Sequence, residues 1–302
     1  MRTTRPAKKG RLLSRLGLLA LGYSVSFAAV YYLTVRTVDG RLLSDASLRG
    51  ALSTSEVVGA LDAVLNVVSI ASLLGAVAAI ALIALIRLAR IQGFAAIGVL
   101  VTANLSALLL KDYLLPRPDL GLHEIAPATL NSLPSGHSTA AFSVVAALLF
   151  VVPSRWRVAL ATVGAAYVAV TSMATMLAGW HRAADSIAAF LLVGLWTTVA
   201  AAVVLVYLPA GSSTVADGSA PRSLRWPAAT SVGCLTMGAV IAVALGRSAP
   251  VRDSIGGSWV ALVSAALLIT GTVIAVLIAI LRALDMVDAF GWVGVPGWPK
   301  PE

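Results

Sequence analysis

The chain has 302 residues, of which 59% are hydrophobic and only 12% charged, with a mean hydropathy of +0.93. A soluble domain is about 45–50% apolar and about 25% charged, so this composition excludes a soluble globule and a disordered chain. The net charge of +9 is not a nucleic-acid footprint, because most positive residues fall in short loops between long apolar runs, where they orient a membrane protein.

A helix needs about 20 apolar residues to cross a bilayer. In chain order, candidate spans cover residues 16–35, 63–86, 94–110, 137–152, 158–178, 184–208, 229–246 and 259–281. The first follows Arg2, Arg5, Lys8, Lys9, Arg11 and Arg15. Its apolar run exceeds the roughly 7–15 residues of a signal-peptide core, so it reads as a retained span. The fold class is all-α: a polytopic transmembrane helical bundle of about eight spans. Residues 1–208 form a six-span core, 209–228 a Ser-, Gly- and Ala-rich cytoplasmic linker, and 229–302 two extra spans with a Gly/Pro/Trp-rich tail. Cys234 is the single cysteine and lies in an apolar run, so no internal disulfide is available.

With the N-terminus inside, fourteen Lys and Arg residues lie on the inner side and eight on the outer. This bias predicts both termini in the cytoplasm. The inner turns are short and basic. Two outer segments, 36–62 and 111–134, are long, as functional loops tend to be, and both are expected as loops.

All three histidines, His123, His137 and His181, fall within 59 residues and on the outer side of this topology. Lys111 and Arg117 reach the same level from the end of the third span, and Asp185 from the start of the sixth. Ionisable groups near membrane depth are costly, and a set delivered from separate segments to one level reads as functional. His181 and Asp185 are spaced i, i+4, which on a helix puts both on one face. The carboxylate then fixes the imidazole tautomer and leaves the second ring nitrogen as a nucleophile. Pro134-Ser135-Gly136-His137 opens the fourth span as a helix start with free N–H groups, an anion site. Gly136 lets a ligand approach the backbone, and His137 can donate a proton to a leaving oxygen. Lys111 supplies a point charge and Arg117 a two-pronged grip for phosphate oxygens. Asn104, within the third span, is expected to hydrogen bond between helices. Asp112, Asp119, His123 and Glu124 sit in the outer loop, where they shape access or are simply solvated.

The order Lys111…Arg117-Pro118, Pro134-Ser135-Gly136-His137, His181-x3-Asp185 resembles the three-part signature of the type 2 phosphatidic acid phosphatase family, of the acid phosphatase and vanadium haloperoxidase superfamily. The resemblance covers roughly residues 60–208. It implies that His181 attacks phosphorus to form a phosphohistidine, Asp185 orients it, and His137 protonates the leaving group. Lys111, Arg117, Ser135 and the Gly136 N–H would bind the phosphoryl group, with no cofactor and no metal. The outer acids do not cluster as a Mg²⁺ site requires.

Two departures stand out. Five residues separate Lys111 from Arg117 where the family has six. The family's third block opens Ser-Arg, with the Arg six residues before the nucleophile; here those positions are Ala174-Thr175. Arg182 is the candidate replacement. The function so implied is a plasma-membrane lipid phosphatase with its active site on the extracytoplasmic side. Its partners would be the membrane and a phosphorylated lipid, of isoprenoid diphosphate or phosphatidate type, and not nucleic acid. A phosphotransferase using the same intermediate, and a non-catalytic protein that binds lipid phosphate, remain open.

Overall fold

The computed structural model describes residues 5–53, 70–86, 89–122, 131–207 and 224–291. His123, Glu124, the start of the second span, most of the 209–228 linker and the 292–302 tail lie outside the described residues. The described chain is helical with no strand: α1 (Arg5–Val35), α2 (Val38–Leu52), α3 (Ile70–Ile86), α4 (Arg90–Leu109, extended by a π-turn, Leu110–Leu114), α5 (Gly136–Val151), α6 (Ser154–Leu177), α7 (Ala183–Tyr207), α8 (Arg225–Gly246), α9 (Ala249–Arg252) and α10 (Ile255–Gly291). The protein is a polytopic all-α membrane protein. Six of these helices are long and apolar enough to cross a membrane: Lys9–Val35, Arg90–Leu114, Ser154–Leu177, Ala183–Tyr207, Arg225–Gly246 and Ile255–Asp288.

Of the other two expected spans, α3 is described from Ile70 onward, while α5 is short, at 16 residues. A 16-residue helix is about 24 Å long, less than the ~30 Å hydrocarbon core. The chain before α5 enters the bundle extended, with Leu133 and Ser135 only 1% and 0% exposed. Irregular backbone at such depth is tolerated where protein buries it and satisfies its polar groups. Ser135 N–H accordingly donates to the Asp185 carbonyl at 3.0 Å, and Thr139 N–H to Ser135 O at 3.0 Å.

The core forms where α1, α4, α5, α6, α7 and α10 meet. Phe142 and Phe190 meet edge to face, with ring centroids 5.4 Å apart. Glycines permit the closest crossings: a Cβ on Gly164 would come within 2.4 Å of Val145, and one on Gly194 within 2.7 Å of the Tyr23 ring. Hydroxyls and amides bind helices across the apolar interior, as small polar groups do in membranes. Asn104 Nδ2 donates to Ser143 Oγ at 3.0 Å, the interhelical bond expected of it, and Trp196 Nε1 to Ser106 Oγ at 2.9 Å.

The two spans expected as an addition are packed into this bundle. α10 lies along α8, α7 and α2 and also meets α6. Ser231 Oγ donates to Gly271 O and Ser264 Oγ to Gly238 O, each at 2.8 Å, joining α8 to α10. Arg157, at the start of α6, pairs with Asp288 of α10 at 2.5 Å and donates to Leu149 O at 2.9 Å.

The expectation of a loop over the outer segment 36–62 is corrected in its first part. Residues Val38–Leu52 form α2, capped by Thr37, whose hydroxyl accepts from Gly40 N–H at 3.2 Å. Low apolar content conceals this helix in the sequence, because the face it buries carries Arg41 and Asp45 beside Ala46, Leu48 and Ala51.

Candidate active site

The C-terminal end of α6 sets the position of His181. Ala178 N–H closes the helix onto Ala174 O at 2.9 Å, and Gly179 follows with φ 76°, the left-handed conformation that ends many helices and suits glycine. The chain then folds back, so that Trp180 N–H and His181 N–H both donate to Thr175 O, at 3.0 and 3.2 Å. His181 therefore sits in the short connection between α6 and α7, outside regular helix. The expected helical face does not bring it to Asp185.

The contact forms in another way. Asp185 lies in the first turn of α7, and its Oδ2 accepts from the Arg182 backbone N–H at 2.9 Å, the side-chain-to-backbone half of a capping box. The same oxygen accepts from His181 Nδ1 at 3.2 Å and from Ser132 Oγ at 2.7 Å. Asp185 is thus a helix cap and the orienter of an imidazole at once. Its side chain is 4% exposed and that of His181 is 13% exposed. With Nδ1–H committed to the carboxylate, His181 keeps its Nε2 lone pair for chemistry.

α5 starts opposite. Ser135 caps it, its Oγ accepting from Ser138 N–H at 3.3 Å. Ser138 Oγ in turn lies 2.9 Å from both Ser172 Oγ and Ser186 Oγ, so buried hydroxyls lock α5, α6 and α7 behind the site. A Cβ on Gly136 would meet nothing within 4 Å, which leaves open space beside the first residue of the helix. His137 follows in the same turn. Its ring centroid is 6.4 Å from that of His181, at 64° between planes, and 5.5 Å from that of Trp180.

Lys111 sits in the π-turn that ends α4, closed by Leu115 N–H to Leu110 O at 2.9 Å. Asn131 clamps this turn to the chain before α5, its Nδ2 lying 3.0 Å from Lys111 O and 2.7 Å from Leu115 O. The ammonium of Lys111 lies 3.7 Å from Asp112 Oδ1. Arg117 is half-buried in the irregular segment that follows, which Tyr31 Oη holds through Pro116 O at 2.6 Å.

Arg182 reaches α2. Its guanidinium is 2.8 Å from Asp45 Oδ1 through Nη2 and 3.1 Å through Nε, in a pair whose side chains are each 3% exposed. Thr175, at the position of the family's arginine, is fully buried and donates its hydroxyl to Ser172 O at 2.9 Å. Ser132, Asn131, Trp180, Arg41 and Asp45 escape sequence reasoning. The polar run Asn131-Ser132 before Pro134 is a legible signal; the other three carry no local pattern.

Within a bundle of apolar helices, a carboxylate-oriented histidine thus lies beside a second histidine in the first turn of α5. Residues 92–208, which take in most of α4 and all of α5 to α7 and carry this site, match the family model described as the PAP2 superfamily, a similarity consistent with a type 2 phosphatidic acid phosphatase family member. Members of that superfamily are generally phosphatases acting on phosphoester bonds. Comparison with curated proteins and with solved structures gave no match.

Proposed function

We propose that the protein is a metal-independent lipid phosphatase of the plasma membrane, hydrolysing an isoprenoid diphosphate or a phosphatidate-type monoester at the outer face through a phosphohistidine. The observation that carries this reading is the pair of imidazoles, with ring centroids 6.4 Å apart, at the first turn of α5, where Gly136 borders open space.

In the proposed sequence, Lys111, Arg117, Ser135 and the Gly136 N–H hold the non-bridging oxygens, since phosphoryl transfer mainly needs positioning and charge neutralisation. His181 Nε2 attacks phosphorus as the bond to the leaving oxygen breaks. That oxygen takes its proton from His137. Water then gives a proton to His137 as it adds to phosphorus, the N–P bond breaks, and orthophosphate leaves with both histidines regenerated. Asp185 holds the ring and balances its positive charge while the N–P bond exists. Apolar helices around the site support a lipid substrate, and the bias of positive residues toward the other end supports an extracytoplasmic site with both termini inside.

The test is phosphate release by the purified protein from phosphatidate and from an isoprenoid diphosphate, with and without chelator, beside a His181→Ala control. Wild-type release that is insensitive to chelator and absent in the control is expected. No release from either lipid, or release that survives His181→Ala, refutes the reading. The Ala174-Thr175 departure favours one alternative, a protein that binds lipid phosphate without turnover. It predicts saturable orthovanadate binding beside zero phosphate release.

A further inference from the structure

We propose that α2 positions the site from outside the matched domain, through Asp45 acting on the loop of His181 and Arg41 acting on the loop of Arg117. This rests on the site being a phosphoryl-transfer centre.

Residue 182 is fastened twice. Its N–H donates to Asp185 Oδ2, the atom that also orients His181 Nδ1. Its guanidinium bonds Asp45 Oδ1 through Nε and Nη2. The nucleophile's backbone is therefore held between the first turn of α7 and the side of α2. One turn earlier on α2, Arg41 is 2% exposed. It donates from Nε to Val35 O at 2.8 Å and from Nη2 to Pro118 O, directly after Arg117. Arg41 and Asp45 are spaced i, i+4 and share one face, so a single helical turn holds both halves of the site.

α2 is itself backed by the C-terminal spans. A Cβ on Gly50 would come within 2.3 Å of Ser258 O, so the helix rests on the start of α10, and Arg49 pairs with Asp253 at 3.3 Å. The last two spans thereby support the brace that sets the distance between His181 and the phosphate cradle. A buried ion pair adds little net stability over an apolar pair of the same volume, but its directional bonds fix geometry. Catalytic groups displaced by about 1 Å lose about 10²-fold in rate.

The experiment compares wild type, Asp45→Asn, Asp45→Glu and the apolar pair Asp45→Leu/Arg182→Met as full chains in mixed micelles. Phosphate release from phosphatidate and amide hydrogen exchange are measured on each. The brace predicts a kcat about ten- to a hundredfold lower in Asp45→Asn, KM within about threefold, and faster exchange at residues 178–186. Asp45→Glu recovers part of the loss. The apolar pair keeps the wild-type thermal midpoint, because no buried charge is stranded, yet retains the kcat deficit. Wild-type kcat in the apolar pair, or unchanged exchange at 178–186 in Asp45→Asn, overturns the proposal. Should wild type release no phosphate, the phosphatase reading falls by itself and the exchange data alone decide the brace, by the same criterion.

Discussion

Asp185→Asn tests the logic of the site most directly. The substitution keeps size and an acceptor oxygen for Ser132 Oγ, Arg182 N–H and His181 Nδ1, but removes the charge. When His181 bonds to phosphorus its ring becomes cationic. Nδ1 then stands 3.2 Å from Asp185 Oδ2, and the charge is shared with Nε2, about 2 Å further away. At an effective dielectric constant of about 20 the attraction averages about 4 kcal/mol, or about a thousandfold in rate. Asp185 Oδ2 is engaged by Ser132, His181 and Arg182, so KM should stay within about threefold. The assay is steady-state phosphate release with acid-quench trapping of the phosphoenzyme. Trapped intermediate should fall with kcat, and thermal melting should move little, because the cap and the Ser132 bond survive in neutral form. A kcat within threefold of wild type would refute the role assigned to this carboxylate and, with it, the assignment of His181 as nucleophile.

Gly136→Ala should leave the melting temperature unchanged, since its Cβ meets no protein atom within 4 Å, but should weaken orthovanadate inhibition about tenfold or more by intruding on the anion site; unchanged inhibition would place the phosphate elsewhere. Activity should follow a bell-shaped pH profile. Attack needs an imidazole with a free lone pair and departure needs a proton donor, so activity should fall on either side of an optimum. A flat profile between pH 5 and 8 counts against this pairing of roles. Asp288→Asn, which weakens the Arg157 tie, should destabilise the protein by roughly 1 kcal/mol, a modest value because Asp288 is 38% exposed; kcat should not change, and a large loss of kcat would mean that the two ends of the bundle are coupled.

Long apolar runs make the spans legible, and the three polar blocks make the site legible. What sequence cannot supply is the reason for some contacts and the existence of others. His181 and Asp185 do meet, but through a glycine-ended helix and a capping carboxylate, because the chain leaves α6 at Gly179 before the presumed helical face can form. α2 escapes notice because its buried face is ionic, which defeats a search for apolar periodicity. Arg182 beside His181 in sequence suggests a ligand for phosphate. Its partner Asp45 lies 137 residues away in the chain, and no local pattern announces such a pair.

The shortness of α5 has an energetic consequence. If its Val151 end is level with the neighbouring helix ends, His137 lies about one helical turn short of them at the other. On the lipid-phosphatase proposal, a substrate reaching it lowers its polar end into the protein and keeps its tail immersed. Each methylene that stays in oil avoids about 0.8 kcal/mol of extraction work. That placement would then be a filter in its own right, one that eases the delivery of tethered phosphates and gives freely diffusing ones no such advantage.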